Sequence, residues 1–128
     1  MMRKQFFLLF MILLPTISMG QSLKKKYLGI YTGTIPGFVL SAGTSTIQVD
    51  AASISIALLD DKTCSQSIGN DQRKGTWKLI AQSKTSYTLE LTLENQIMIE
   101  RCVLDKKSKQ LLREGFYPQP DALLTKQP

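Results

Sequence analysis

Histidine is missing from the chain altogether. That removes Ser-His-Asp and Cys-His nucleophilic machinery, the usual general base, and nearly every imidazole-based zinc or copper site. Cysteine is almost as scarce. Cys64 and Cys102 stand thirty-eight positions apart, without the local C-x-x-C spacing of a redox or structural zinc motif. There is no glycine-rich phosphate loop ending in Lys-Ser/Thr, no G-x-G-x-x-G between a strand and a helix, and no Asp-rich loop with calcium-ligand spacing. No apolar run is long enough to span a bilayer, which takes roughly 20 residues.

Paired carboxylates need neither histidine nor cysteine, so they are weighed separately. Asp60 and Asp61 sit together in turn sequence, where solvated acids are the norm. Glu90 and Glu94 fall on the polar side of an alternating run. Glu100 stands out because it lies inside an otherwise apolar stretch, but Arg101 is its neighbour, and period-two alternation sends one of the two to water. No catalytic, cofactor-binding or metal-binding residue is assigned, and the chain is expected not to be an enzyme.

What is present first is a targeting pattern. Arg3 and Lys4 precede "FFLLFMILL" (Phe6 to Leu14), Pro15 breaks the run, and Ser18 and Gly20 supply small residues three apart at the end. Charge, a short apolar core and a small-x-small site in that order make a secretory signal peptide. Residues 1–20 are expected to be removed after Gly20, leaving residues 21–128 as one small domain in the periplasm or outside the cell. No cysteine stands at the new terminus to carry lipid, and no transmembrane segment is expected after cleavage. Loss of Arg3 and Lys4 takes 16 basic residues to 14 against 10 acids, so the net charge falls from +6 to +4. The positives are dispersed apart from "KKK" (Lys24 to Lys26) and "DKKSK" (Asp105 to Lys109). Nucleic-acid recognition calls for a denser basic face with interleaved aromatics, so it is not expected.

An oxidising compartment makes Cys64 and Cys102 a disulfide candidate. A bridge there would stabilise the fold by roughly 4 kcal/mol on a chain-entropy argument. The alternative is two buried free thiols, each acting as a small hydrophobe.

The dominant period is two. In "SYTLELTLE", Tyr87, Leu89, Leu91 and Leu93 share one face, and Thr88, Glu90, Thr92 and Glu94 the other. Ile54, Ile56 and Leu58 alternate likewise, as do Trp77, Leu79 and Ala81. "QIMIERCVLD" reads as a central or bulged strand and "QLLREGF" as a shorter last one. "DDK", "GNDQRKG", "QSKTS", "EN" and "DKKSK" supply the turns between them. "PDALLTK" is the only stretch expected to make a helical turn.

The expected fold is therefore all-β: a small antiparallel up-and-down barrel of about seven or eight strands, with a β-sandwich as the alternative. In "YLGIYTGTIPGF", Gly29 and Gly33 allow a first strand to coil sharply. Tyr27, Tyr31 and Phe38 then pack in the core or rim, or else line a ligand-contacting mouth. Trp77 is expected in the core.

Gly29, Tyr31, Gly33 and Pro36, with Gly75 and Trp77 later, resemble the Gly-x-Tyr-x-Gly-x-x-Pro and Gly-x-Trp strands of the N-terminal domain of NlpE-type copper-resistance lipoproteins. The same features are similar to lipocalin-like and other small envelope barrels. The resemblance implies a barrel fold and the bacterial envelope. It does not imply copper binding, because Gly37, Phe38 and Val39 follow Pro36 where that family carries C-x-x-C. The functional expectation is an exported, non-catalytic binding or interaction module without a cofactor, acting on a protein, glycan or small apolar ligand. The alternatives are a lipocalin-like carrier of an apolar ligand and, last, an inhibitor of an envelope-targeting enzyme such as lysozyme. The net positive charge opposes that last encounter with an often basic enzyme.

Overall fold

In the computed structural model, residues 22–128 are described; the targeting segment proposed for residues 1–20 lies outside them. Among the described residues ten strands form: β1 (Gly29–Ile35), β2 (Phe38–Ala42), β3 (Ser45–Val49), β4 (Ala52–Leu58), β5 (Thr63–Ile68), β6 (Asp71–Gln82), β7 (Ser86–Leu93), β8 (Glu100–Asp105), β9 (Gln110–Arg113) and β10 (Ala122–Lys126). Eight of them close a barrel in the order β1, β10, β9, β8, β7, β6, β5, β4. Each is antiparallel to its neighbours. The all-β up-and-down barrel expected from the alternating runs is the fold found. β2 and β3 form a separate two-stranded hairpin inserted between β1 and β4.

Alternation decides which side chains fill the barrel. Tyr31 and Ile35 of β1, Ile54, Ile56 and Leu58 of β4, Trp77 and Leu79 of β6, Tyr87 to Leu93 at every second position of β7, Leu104 of β8, Leu111 of β9 and Leu124 of β10 are all buried in one apolar cluster. Each fully buried large apolar side chain contributes about 1.5–3 kcal/mol of transfer free energy. Trp77 sits in the core, as its strand position implies, and its Nε1–H donates to the Leu59 carbonyl at 2.9 Å. Ala81 departs from the alternation: the β6–β7 register shifts between Leu79 and Ala81, and the irregularity turns Ala81 outward.

The up-and-down course sorts the connections to two ends. One end carries the tight turns at 59–62, 83–85 and 106–109 together with the N-terminal lead-in. A single 3-10 turn (Lys25–Tyr27) closes this end. Tyr27 is buried there, its hydroxyl donates to the Lys106 carbonyl at 3.2 Å, and its ring meets Tyr87 edge-on at 5.3 Å. Tyr31 locks the same corner by donating to the Tyr27 carbonyl at 2.6 Å. Desolvation, with Tyr27 beside it, raises the Tyr31 phenol well above its ordinary value. Tyr27 and Tyr31 are thus core residues, while Phe38 lies half-buried on the hairpin.

Three local expectations do not hold. Residues 122–126 are strand β10 and not a helical turn, because pairing with both β1 and β9 outweighs a weak local preference. "GNDQRKG" is not one long turn: only Gly69 and Asn70 turn, and Asp71 to Gly75 already pair with β5. Gln96 to Ile99 are not part of a strand, which begins at Glu100.

Both cysteines point inward, Cys64 from β5 and Cys102 from β8, and both are free, buried thiols here, not the bridge favoured from sequence. β6 and β7 separate their strands in the sheet, so the two Cβ atoms do not start from neighbouring backbones. Burial pushes Cys64 up to about 11 and Cys102 up to about 12, the nearby Glu100 carboxylate adding to both. With so little thiolate present, neither is expected to react with a disulfide-type thiol reagent at pH 8 in the folded protein. Both are expected to react once denaturant is added. Rapid labelling of the native protein would contradict this burial.

Candidate functional site

The opposite end of the barrel is built differently. The hairpin segment (36–51), the β7–β8 loop (94–99) and the β9–β10 loop (114–121) all leave it, with the short turn at 69–70. Three inward positions near this end are polar: Gln66 of β5, Glu100 of β8 and Arg113 of β9, each at most 3 % exposed. An inward-facing charge is costly unless paired and hydrogen-bonded. Here it is both. Arg113 donates to Glu100 as a fork, Nε to Oε1 at 3.0 Å and Nη2 to Oε2 at 3.2 Å. Oε2 also accepts from Gln66 Nε2 at 3.1 Å and Gln96 Nε2 at 3.0 Å.

The strands set this convergence. Period two aims Glu100 inward and Arg101 to solvent, as β8's burial pattern records. The β8–β9 register opposes Cys102 to Arg113, which places Arg113 one inward step from Glu100. Gln66 arrives from β5 across the interior. Burial alone would raise the Glu100 carboxyl, but the hydrogen bonds and charge of Arg113, with those of Gln96 and Gln66, outweigh it and hold Glu100 below its ordinary value.

The ion pair also anchors the loops. Gln96 donates to the Met98 carbonyl at 2.9 Å while it holds Glu100. Arg113 Nη1 donates to Gln119 Oε1 in the β9–β10 loop. Arg73 spans from Asp71, by a 3.1 Å ion pair, to the Asn95 carbonyl at 3.2 Å. The side chains of this network, with Ile68 and Phe116, line a cleft of about 310 Å³. Gln66 Oε1 is buried and accepts no hydrogen bond from the described residues.

The segments that leave this end carry exposed apolar side chains. Val39, Ile47, Ile97, Met98, Ile99 and Tyr117 are all exposed large hydrophobics on segments leaving this end. Ile97 and Tyr117 are essentially fully exposed, at 102 % and 98 %.

Of the residues singled out in the sequence, Glu100 belongs to this site, as a clamped anion and not an acid pair. Asp60 and Asp61 lie in a turn at the other end; Glu90 pairs with Arg101 on the outward face of β7, opposite to the inward Glu100, and Glu94 lies just beyond β7. Gln66, Gln96, Arg113 and Gln119 carry little signal in the sequence: Gln66 and Arg113 each break a run of alternating inward positions, and the two loop glutamines have no local mark. No protein-family model matches the chain, and neither the curated proteins nor the solved structures compared with it include a match.

Proposed function

We propose that this chain is an exported, non-catalytic binding module of the bacterial envelope that engages its partner through the open end of the barrel. The observation that carries this reading is the asymmetry of the two ends. One is closed by Tyr27 and short turns; at the other a polar cleft opens, and the segments leaving it carry six exposed large apolar side chains. Exposed apolar side chains concentrated on one face and rimmed by polar groups mark interaction surfaces. The export reading rests on the N-terminal pattern of Arg3 to Gly20, and the resemblance to NlpE-type domains supports the same compartment. No helix of the described residues is long and apolar enough to cross a membrane.

The interior argues against the lipocalin-like carrier. Tyr31, Trp77 and the inward Leu and Ile side chains pack as one cluster where an apolar ligand would sit. An eight-stranded barrel has room for side chains or for one small ligand. The inhibitor reading has no feature of its own at either end.

The test is affinity capture from envelope extract by three forms of the protein. Wild type and Leu123→Asp, a change on the exposed barrel wall, are expected to retain the same partner. Ile97→Asp is expected to lose it. Equal retention by Ile97→Asp, or no reproducible partner for wild type, would count against the reading.

A further inference from the structure

We propose that the cleft at the open end is a binding subsite for a single neutral sugar ring. This rests on the reading of that end as the binding face and adds the class of group it receives.

Charge comes first. The four ionised side chains lining the cleft are Asp71, Arg73, Glu100 and Arg113, and they are paired as Arg73–Asp71 and Arg113–Glu100. The cleft is therefore balanced. A charged ligand entering it would lose hydration without gaining an uncommitted counter-charge.

Hydrogen bonding comes second. Gln66 is 3 % exposed, lines the cleft and has a carbonyl oxygen that no described residue satisfies. Its amide nitrogen is committed to Glu100, which fixes the oxygen as an open acceptor. A ligand that brings an O–H or N–H to it would satisfy it. Beside it in the lining stand Arg113, whose guanidinium has N–H groups beyond the three bonds it makes, and the carboxamide of Gln119, whose oxygen takes one of those bonds. The lining thus offers an acceptor and further donors. Vicinal hydroxyls, each donor and acceptor at once, suit such a wall.

Shape comes third. Phe116 and Ile68 complete the lining with apolar surface, against which the C–H face of a sugar ring can lie. The volume, about 310 Å³, is at the small end of ligand sites and suits one ring more than a chain.

The experiment is an NMR titration of the purified protein, following the side-chain N–H signals of Gln66, Gln96, Gln119 and Arg113. The neutral probes are methyl glucoside and N-acetylglucosamine; the charged ones are glucuronate and glucosamine. At least one neutral sugar is expected to give saturable shifts at Gln66 and Arg113, and both charged sugars to bind about tenfold more weakly or worse. Gln66→Met, which removes the open acceptor, is expected to weaken binding about tenfold. If that variant does not fold, Gln119→Ala on the loop is expected to weaken it measurably. No saturable shift with either neutral sugar overturns the proposal, as does equal binding of the charged ones. Shifts from a neutral dipeptide amide in place of the sugars overturn it too. Partner capture that depends on Ile97 without any sugar response leaves the open end as the binding face and reduces the cleft to a structural plug. A sugar response without partner capture supports the subsite and removes the apolar rim from the account.

Discussion

Glu100→Ala is expected to destabilise the protein by about 3–5 kcal/mol, measured by urea unfolding at neutral pH. The loss comes less from the removed carboxylate than from what it leaves. Arg113 is 3 % exposed and would keep its charge with only Gln119 to receive it. Gln66 and Gln96 would each lose an acceptor as well. For a domain of this size that is a large part of total stability. Pairing Glu100→Leu with Arg113→Met is expected to recover most of it, because a well-packed apolar pair avoids the desolvation cost that the ion pair only offsets. If the double variant were as unstable as Glu100→Ala, the polar cluster would be stabilising in itself.

The same residue predicts a pH dependence of definite sign. The folded-state value of Glu100 lies below its ordinary 4.5. A lowered carboxyl stabilises the fold above the ordinary range and loses that contribution as pH falls through the folded value. The stability gap between wild type and Glu100→Gln should therefore be full at neutral pH and narrow on acidification below about 4.5. A gap that stays constant down to about pH 3 would show that the carboxylate is not held as described.

The second large effect is expected at Gly75. A Cβ there would lie 2.0 Å from the Thr92 carbonyl oxygen and 2.9 Å from the Leu93 Cα. Both obstacles are backbone of the neighbouring strand, so no rotamer change relieves them. Gly75→Ala is expected to cost about 3 kcal/mol or more, above the usual range for overpacking, or to prevent folding. Gly69 offers the contrast. It has φ +58° and open space around its Cβ position. Gly69→Ala should cost only the roughly 1–2 kcal/mol of a left-handed alanine, and Gly69→Asn less. Thermal unfolding of the three variants separates steric from conformational cost. If Gly69→Ala proved the more damaging, the close approach of β6 and β7 would be wrong.

In the sequence, Gly75 stands out only as part of "GTWKL", where it carries a family resemblance. Its structural duty is to let β7 pass where a side chain would stand. Gly33 does the same for β10, against the Leu123 carbonyl, 2.4 Å from its would-be Cβ. Neither neighbour was visible locally, because strand partners far apart in sequence decide which glycine is crowded.

The β7–β8 connection makes the same point for polarity. "QIMI" is apolar enough to be mistaken for strand, yet Gln96 bonds Met98 and Glu100 and holds the loop open, leaving Ile97, Met98 and Ile99 exposed. Hydropathy assigns such a run to the interior; a single tertiary hydrogen-bond network puts it at the rim.

By itself, the sequence determined that this is an all-β chain, which side chains of each strong strand face inward, and that histidine-based chemistry is impossible for it. Those follow from a period of two and from composition, both local properties. Only the tertiary structure decided that β10 closes onto β1, that β2 and β3 stand outside the barrel, and that Gln66, Glu100 and Arg113 meet. Alternation says that a residue points inward but not at what height. The height comes from the stagger between strands, which pairing across the closed sheet sets.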